Sequence, residues 1–233
     1  MMKRCLDILI AGCGLVLLSP LLVAICLTLR VTGEGKVVYR QQRLGQHLKP
    51  FNVYKFATML EASPNMLTGS ITVPDDPRVL PVGKFLRKTK LNEIPQLLNV
   101  LLGDMSLIGP RPHVEEDLEG IPKANLIYCY SIKPGLSGIA SILLRNEEDL
   151  LGGEVDQRGF YRKVIAPYKN KLDSWYVTNS TLTNYLTLVF LTLVVVLGVR
   201  SQVIFRLWPS LPSLPKELLN KFSQRTTNMR HRN

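Results

Sequence analysis

LRKTKLNEIPQLLNVLLGDMSLIGPRP, Leu86 to Pro112, strings together cations, an Asn-Glu pair, an apolar helix and a Gly-Pro-Arg-Pro loop. Asn92 is suited to cap the helix that follows, because its side-chain oxygen can accept an early backbone N–H. Pro95 falls in the first turn, where a missing N–H costs little. Leu97, Leu98, Leu101 and Leu102 form an apolar stripe, and Gly103 is a natural stop. Glu93 then lies at the positive end of a helix dipole, where a phosphate is also favoured. Arg87, Lys88 and Lys90 precede it, and Arg111 is held between Pro110 and Pro112. Cations on both sides of a carboxylate point to a polyanionic substrate.

The remainder of the chain suits one domain with attachments. It has 233 residues, 46% hydrophobic, with a formal net charge of +11. That excess fits anionic lipid headgroups or phosphate-rich substrates. No nucleic acid partner is expected, because zinc spacing, RNP-type aromatic motifs and DNA-reading patterns are missing. Cys5, Cys13, Cys26 and Cys129 show no CxxC spacing and read as reduced thiols. His47, His113 and His231 are scattered and suggest no metal site.

Outward from the central run, Ile8–Leu29 is apolar over about 22 residues, enough to cross a bilayer core. Lys3 and Arg4 precede it; Arg30, Lys36, Arg40 and Arg43 follow, so charge alone assigns no orientation. Ser19-Pro20 interrupts the run. A helix that enters, bends there and returns to the same face satisfies both flanks; a kinked transmembrane helix is the plainer alternative. Lys36–Met59 reads as a hairpin turning between Gly45 and Pro50. Glu61–Val82, with four prolines, is loop. Arg78 within it is equally a phosphate ligand or an ion-pair partner of Asp75 or Asp76. Tyr161–Asn179 is helical with a restart at Pro167. Leu182–Val199 is too short for a comfortable span and reads as interfacial or buried. A loose, basic tail is expected from Lys216.

The Leu86–Pro112 run resembles the bacterial sugar transferases, the monotopic polyprenol-phosphate phosphoglycosyl transferases. Their pattern here runs L-R-K-S/T-x-D/N-E-L/I-P-Q-L-x-N-V-L-x-G-D-M-S-x-I/V-G-P-R-P. Further pieces match in Asp76-Pro77-Arg78-Val79, in Gly83–Arg87, in the Lys133–Gly138 turn and in Leu172-Asp173-x-x-Tyr176. The resemblance implies an α+β fold: a small membrane-surface catalytic domain with an N-terminal re-entrant membrane helix, broken at Ser19 and Pro20, and interfacial helices. It divides the chain into a membrane helix (1–32), a catalytic domain (33–180) and an apolar helix with a basic tail (181–233). It also implies a UDP-sugar donor, a polyprenol (undecaprenyl) phosphate acceptor in the membrane lipid, and a covalent ping-pong route beginning exopolysaccharide assembly. In that route an Asp attacks the β-phosphorus, UMP leaves, and the polyprenol phosphate takes the phosphosugar. The catalytic pair falls on Asn92 and Glu93. Mg²⁺ (magnesium) bridges the diphosphate, with Glu93 its first protein ligand. Arg111 and Lys55 stabilise the transferring group, and Arg87 is a substrate-binding residue, as is Arg78 on the first of its two readings. Arg145 contacts nucleotide or sugar, and Asp173 is a second acid. Without the resemblance, Lys55 is a solvated strand-end lysine and Asp173 a helix-surface acid. The implied location is the bacterial inner membrane, with the catalytic domain on the cytoplasmic face; a homo-oligomer is left open.

Two positions depart from the pattern. Ala57 stands where an Arg is usual, which weakens or relocates an anion contact. Asn92 stands where the nucleophilic Asp is usual, and a carboxamide is a much poorer nucleophile than a carboxylate. Three readings stay open: Glu93 takes the nucleophile role, the chain keeps the pocket but transfers slowly or not at all, or the change is an engineered or sporadic one that traps the substrate complex. The adopted reading is a working transferase. Its alternatives are an impaired homologue that scaffolds glycan assembly and a basic membrane-surface protein without a nucleotide site.

Overall fold

A computed structural model describes residues 1–66, 71–197, 203–219 and 221–222. Most of the expected basic tail (223–233), and residues 198–199 of the second apolar segment, lie outside the described residues. Helix α1 (Met2–Val31) is one run of 30 residues with Pro20 inside it. Pro20 has no N–H to give the Val16 carbonyl, and Ser19 Oγ donates to that oxygen at 2.7 Å. Helical pairing thus carries through the dipeptide where the sequence suggested an interruption. Among the described residues α1 alone is long and apolar enough to cross a membrane. Its middle is bare, with Val16 and Leu17 exposed, while Asp7 and Ala11 near one end and Ile25 and Leu29 near the other are buried.

Strands β1 (Val38–Leu44) and β2 (Pro50–Phe56) pair antiparallel from Val38↔Phe56 to Leu44↔Pro50, the hairpin expected from the turn residues. Helix α2 (Pro81–Lys88) follows, then α3 (Gln96–Leu102), β3 (Ser106–Ile108), α4 (Lys123–Cys129) and β4 (Gly135–Ser137). Next come α5 (Ile139–Leu143), α6 (Glu147–Leu150) and α7 (Gln157–Phe160). A π-helical turn, Tyr161–Ile165, leads into α8 (Ala166–Thr178), so the restart expected at Pro167 is a change of helical pitch. Helices α9 (Leu182–Val196) and α10 (Val203–Leu207) follow. The mixture of helix and sheet agrees with the α+β expectation. Ile139, Ile142, Ile165, Leu172, Leu188 and Ala11 share one core, so both apolar helices pack into the central domain.

Asp7 is the tie between them. It is 3% exposed, and its Oδ1 accepts bonds from Leu107 N at 2.8 Å, Ser106 Oγ at 3.0 Å and Tyr185 OH at 2.7 Å, which links α1, β3 and α9. At the other end of α1, Ile25 and Leu29 pack with Phe56 of β2 and Leu86 of α2.

The central run departs from expectation in two ways. Asn92 caps nothing: a 3₁₀ turn covers Leu91–Glu93, α3 begins after Pro95, and neither start has a side-chain cap. The buried face of α3 is Gln96, Leu97, Asn99 and Val100, whereas Leu98 and Leu102 are exposed. Asn99 explains the rotation. Its Oδ1 accepts from Tyr54 N at 3.0 Å and its Nδ2 donates to Asn52 O at 2.7 Å, which turns this polar residue inward onto β2.

Strands β3 and β4 run parallel, and their backbones cross at glycines. A Cβ on Gly135 would sit 2.0 Å from Gly109 N, one on Gly109 2.4 Å from Lys133 O, and one on Gly138 2.3 Å from Gly109 O. The Gly-Pro-Arg-Pro loop and the Lys133–Gly138 turn are two halves of one crossing. Gly135→Ala must therefore force backbone apart. It is expected to destabilise the protein by about 3 kcal/mol, the upper end of overpacking costs, read as a lowered melting temperature in detergent; an unchanged melt would contradict the crossing.

Candidate functional site

Four elements bring the site together. The glycine crossing fixes the loop that carries Arg111: Gly135 N donates to Pro110 O at 2.8 Å and Gly109 N to Ser137 O at 3.0 Å. Arg43, from β1, donates through Nη1 to Pro112 O at 2.6 Å and holds the far side of the same loop. Lys55 comes from β2. Between α2 and α3 the chain reverses at Lys90, whose φ of 62° is left-handed, and this turn presents Asn92 and Glu93.

These residues line a cavity of about 900 Å³, together with Arg87, Arg145, Glu147, Glu148, Tyr161 and Lys169. Arg111 Nη2 donates to Glu93 Oε1 at 2.9 Å; among the described residues Glu93 Oε2 accepts no bond. Burial works to raise the Glu93 carboxyl, but Arg111, then Lys55 and Lys90, overcome it and hold it well below the usual carboxylate range. Glu93 in turn raises Arg111. Burial, then repulsion from Arg43, pulls the Lys55 ammonium well below its ordinary value, against the attraction of Glu93. Lys55 thus sits in a field that a substrate anion would relieve. Burial, then Lys169, Arg43 and Arg111, keep the His113 imidazole neutral. Two further pairs close the wall: Arg87 with Glu148 at 2.6 Å and Lys169 with Glu147 at 2.8 Å, the lysine also 3.5 Å from Tyr161 OH.

Asn92 is 6% exposed, and its Oδ1 has no hydrogen-bond partner. Leaving a buried acceptor unpaired is costly, so the atom is available to a donor or cation entering the cavity. Among the described residues no three Asp, Glu, His or Cys side chains converge on a ready-made metal site. Mg²⁺ needs less: one or two protein oxygens suffice when substrate phosphates and waters complete its shell. Glu93 and the orphaned Asn92 oxygen have the chemistry of such ligands.

The structure thus brings together Lys55, Arg87, Asn92, Glu93, Arg111 and Arg145 around one cavity. Asp173 stands behind it: 4% exposed, its Oδ2 accepts from Arg111 N at 3.3 Å. Arg78 is placed elsewhere. It is 0% exposed, paired with Asp76 at 2.6 Å, and donates to Ser63 O, Met66 O and Ile71 O. Of the two sequence readings, this is the ion-pair partner, and it ties together the loop before α2. Ala57 is buried at the cavity wall, where an Arg would have added a cation. Sequence reasoning missed Arg43 as a loop holder, and it missed Glu147, Tyr161 and Lys169 as a buried network. The available signals were Arg43 beside Gly45 in the hairpin and the acids directly following Arg145.

Residues 1–199 match the protein family described as bacterial sugar transferase. The chain is similar to the undecaprenyl-phosphate galactose phosphotransferase of Salmonella typhimurium, 37% identical over 211 residues, 84% of this chain and 40% of that protein. It is 40% identical over 154 residues to the UDP-glucose:undecaprenyl-phosphate glucose-1-phosphate transferase of Escherichia coli, 65% of this chain and 33% of that protein. With the exopolysaccharide production protein ExoY of Rhizobium meliloti it shares 36% identity over 207 residues, 83% of this chain and 84% of that one. It therefore spans well under half of the first two relatives and most of the third.

Burial raises the Asp173 carboxyl to about 7 from its ordinary 3.8. Between about pH 4 and 7 the folded chain keeps a proton that the unfolded chain releases. The support this gives the fold is full at lower pH and lost as pH rises through about 7. Asp173→Asn, similar in shape and always neutral, is expected to raise the melting temperature by several degrees above about pH 7.5, with the gain vanishing near pH 4. An equal gain at both ends of a pH series of melts would contradict this.

Proposed function

Because the chain belongs to the bacterial sugar transferase family, we propose that it transfers a sugar phosphate from a UDP-sugar to a membrane polyprenol phosphate, the first step of exopolysaccharide assembly. The observation that carries this reading is the ionised Glu93, flanked by Arg111, Lys55 and Lys90, in a cavity that also reaches Leu18 of α1 and Leu193 of α9. Such a cavity accepts a diphosphate at its charged side and a lipid at its apolar side.

In the covalent route a carboxylate oxygen bonds to the β-phosphorus, the bond to the α-phosphate oxygen breaks, and UMP leaves with that electron pair. Glu93 Oε2 is the atom of the pair able to do this, since Asn92 has no carboxylate. The polyprenol phosphate oxygen then displaces Glu93 and forms the lipid diphosphosugar. Arg111 and Lys55 stabilise the charge spread over the transferring phosphoryl group. Mg²⁺, when bound, supplies neutralisation of the diphosphate oxygens; with Glu93 Oε2 committed to the phosphorus, Asn92 Oδ1 would be the protein oxygen that holds it. The Asn-Glu pair would thereby share the work differently from an Asp-Glu pair: the amide oxygen would hold the metal and the glutamate would be the nucleophile.

The membrane reading follows from α1. Both its ends dock on one domain while Val16 and Leu17 between them are bare, which supports an apolar helix held against the domain with its bare face toward lipid. Basic residues at both ends, Lys3 and Arg30, suit the cytoplasmic face of the inner membrane. The bare side of α9 would rest on the same surface.

A second reading has its own observation. Asn92 is neutral and Glu93 is already bonded to Arg111, so a chain that binds donor and lipid without turnover is the alternative. UMP release in detergent with Mg²⁺, undecaprenyl phosphate and a panel of UDP-sugars separates the two. The transferase reading expects release by the chain as it stands, a phosphosugar adduct on Glu93 by mass spectrometry, and at least about a hundredfold loss in Glu93→Gln, as befits removal of a nucleophile. Release only after Asn92→Asp would establish the binding protein instead. Silence from both folded proteins across the panel would overturn the transferase assignment.

A further inference from the structure

The cavity has a second wall that the donor chemistry leaves unused. Helix α5 and the residues after it place Ser141 and Arg145 four residues apart, both on the cavity, against Leu193, Val195 and Val196 of α9. Arg145 differs from three of the other cations there by having no ion pair, and from Arg43, Lys55 and Lys90 by having no Glu93 charge acting on it. Arg87, Arg111 and Lys169 each face a glutamate within 2.9 Å, whereas among the described residues no carboxylate pairs with Arg145. Its guanidinium donates through Nη1 to the Val195 carbonyl, at the last turn of α9. Burial alone lowers its proton affinity, with no opposing charge to restore it. Nearby, Ser141 Oγ is buried without a hydrogen-bond partner.

Apolar surface begins at this wall. Leu193 lines the cavity and is 61% exposed, and it continues an outward stripe of α9 made by Leu186, Phe190 and Leu197, at spacings of one helical face. An unpaired cation and an orphaned hydroxyl at the head of an apolar stripe suit one kind of molecule, a phosphate monoester on a long hydrocarbon chain.

We propose that Arg145 and Ser141 form the binding subsite for the phosphate head of the polyprenol acceptor, with its chain leaving past Leu193 along α9. This rests on the transferase reading and refines it, because the donor diphosphate is left to Glu93, Arg111 and Lys55. The guanidinium, oriented by the α9 carboxyl-terminal carbonyl, gives its remaining N–H groups to the phosphate oxygens, and Ser141 Oγ gives its proton. Two anions thus occupy one cavity at separate walls, the arrangement that passing a phosphosugar between them requires.

The test uses the full chain in detergent micelles and measures Kd by thermal shift for undecaprenyl phosphate, undecaprenol, inorganic phosphate and UDP. Arg145→Gln removes the charge and the guanidinium fork while retaining a polar side chain with an amide N–H. The unaltered chain is expected to prefer undecaprenyl phosphate to undecaprenol and to inorganic phosphate. Arg145→Gln should weaken undecaprenyl phosphate about tenfold, the loss of one charge-assisted contact, and shift UDP by less than about twofold. Ser141→Ala, which deletes one oxygen, should weaken the lipid about threefold and serves if Arg145→Gln does not fold. Unchanged lipid affinity in the folded variants, undecaprenol binding as well as its phosphate, or inorganic phosphate binding as well as the lipid would overturn the subsite. Failure of the unaltered chain to bind both UDP and undecaprenyl phosphate would instead overturn the transferase reading on which it rests.

Discussion

Everything near the site depends on two backbones passing at glycine contact. Gly109 and Gly135 approach so closely that neither tolerates a Cβ, and the parallel bonds between β3 and β4 hold them there. The strands are only three residues each, too short to be rigid by pairing alone. Closeness supplies the rigidity: with no side chain between them, the Arg111 loop and the Lys133–Gly138 turn move as one piece. Asp7 joins α1 and α9 to that piece through β3. The Arg111 loop and the apolar helices α1 and α9 are therefore referred to one fixed point, which the proposed transfer between a nucleotide sugar and a lipid acceptor would need.

Electrostatics supplies the second constraint. A buried cation is stable only with a compensating acid, and most of those around the cavity have one. Glu93 serves Arg111, Lys55 and Lys90 together, too little negative charge for three cations. The shortfall appears in Lys55, whose ammonium is held well below its ordinary proton affinity. A diphosphate would remove that shortfall on binding, so part of its binding energy would be the relief of repulsion among the cavity's cations. The cost of assembling like charges is carried by folding, by the glycine crossing and by the Arg43 bond to Pro112.

What the sequence revealed was what local chemistry encodes. The hairpin followed from Gly45 and Pro50 between β-branched and aromatic runs, the half-buried α9 from its length, and the cations around Glu93 from a dense motif. Contacts between distant residues were harder to see. Gly109 and Gly135 could each be read as a turn, but nothing local says that they meet. Leu98 and Leu102 looked like core because leucines at helical spacing usually are; a polar neighbour, Asn99, won the inward face by satisfying two backbone groups of β2. Arg78 looked equally like a ligand and an ion-pair partner, since Asp76 is close in sequence and loop carbonyls are invisible there. Glu147 and Lys169 are separated by helices in sequence, and only folding makes them a pair.

Asn92 is best understood through the charge around it. An Asp there would place a second carboxylate beside Glu93, and each would raise the other's proton affinity while competing for the same cations. With Asn, Glu93 keeps Arg111, Lys55 and Lys90 to itself and is ionised throughout the neutral range. The same cations that guarantee its charge also make it less basic, and a less basic carboxylate is a weaker nucleophile. In the proposed covalent route, what the site loses in nucleophile strength would have to come from placement: an oxygen left unbonded at Oε2, an arginine fixed by the glycine crossing, and an orphaned amide oxygen on the same turn as Glu93. The fold invests its tightest packing in the groups that do the placing.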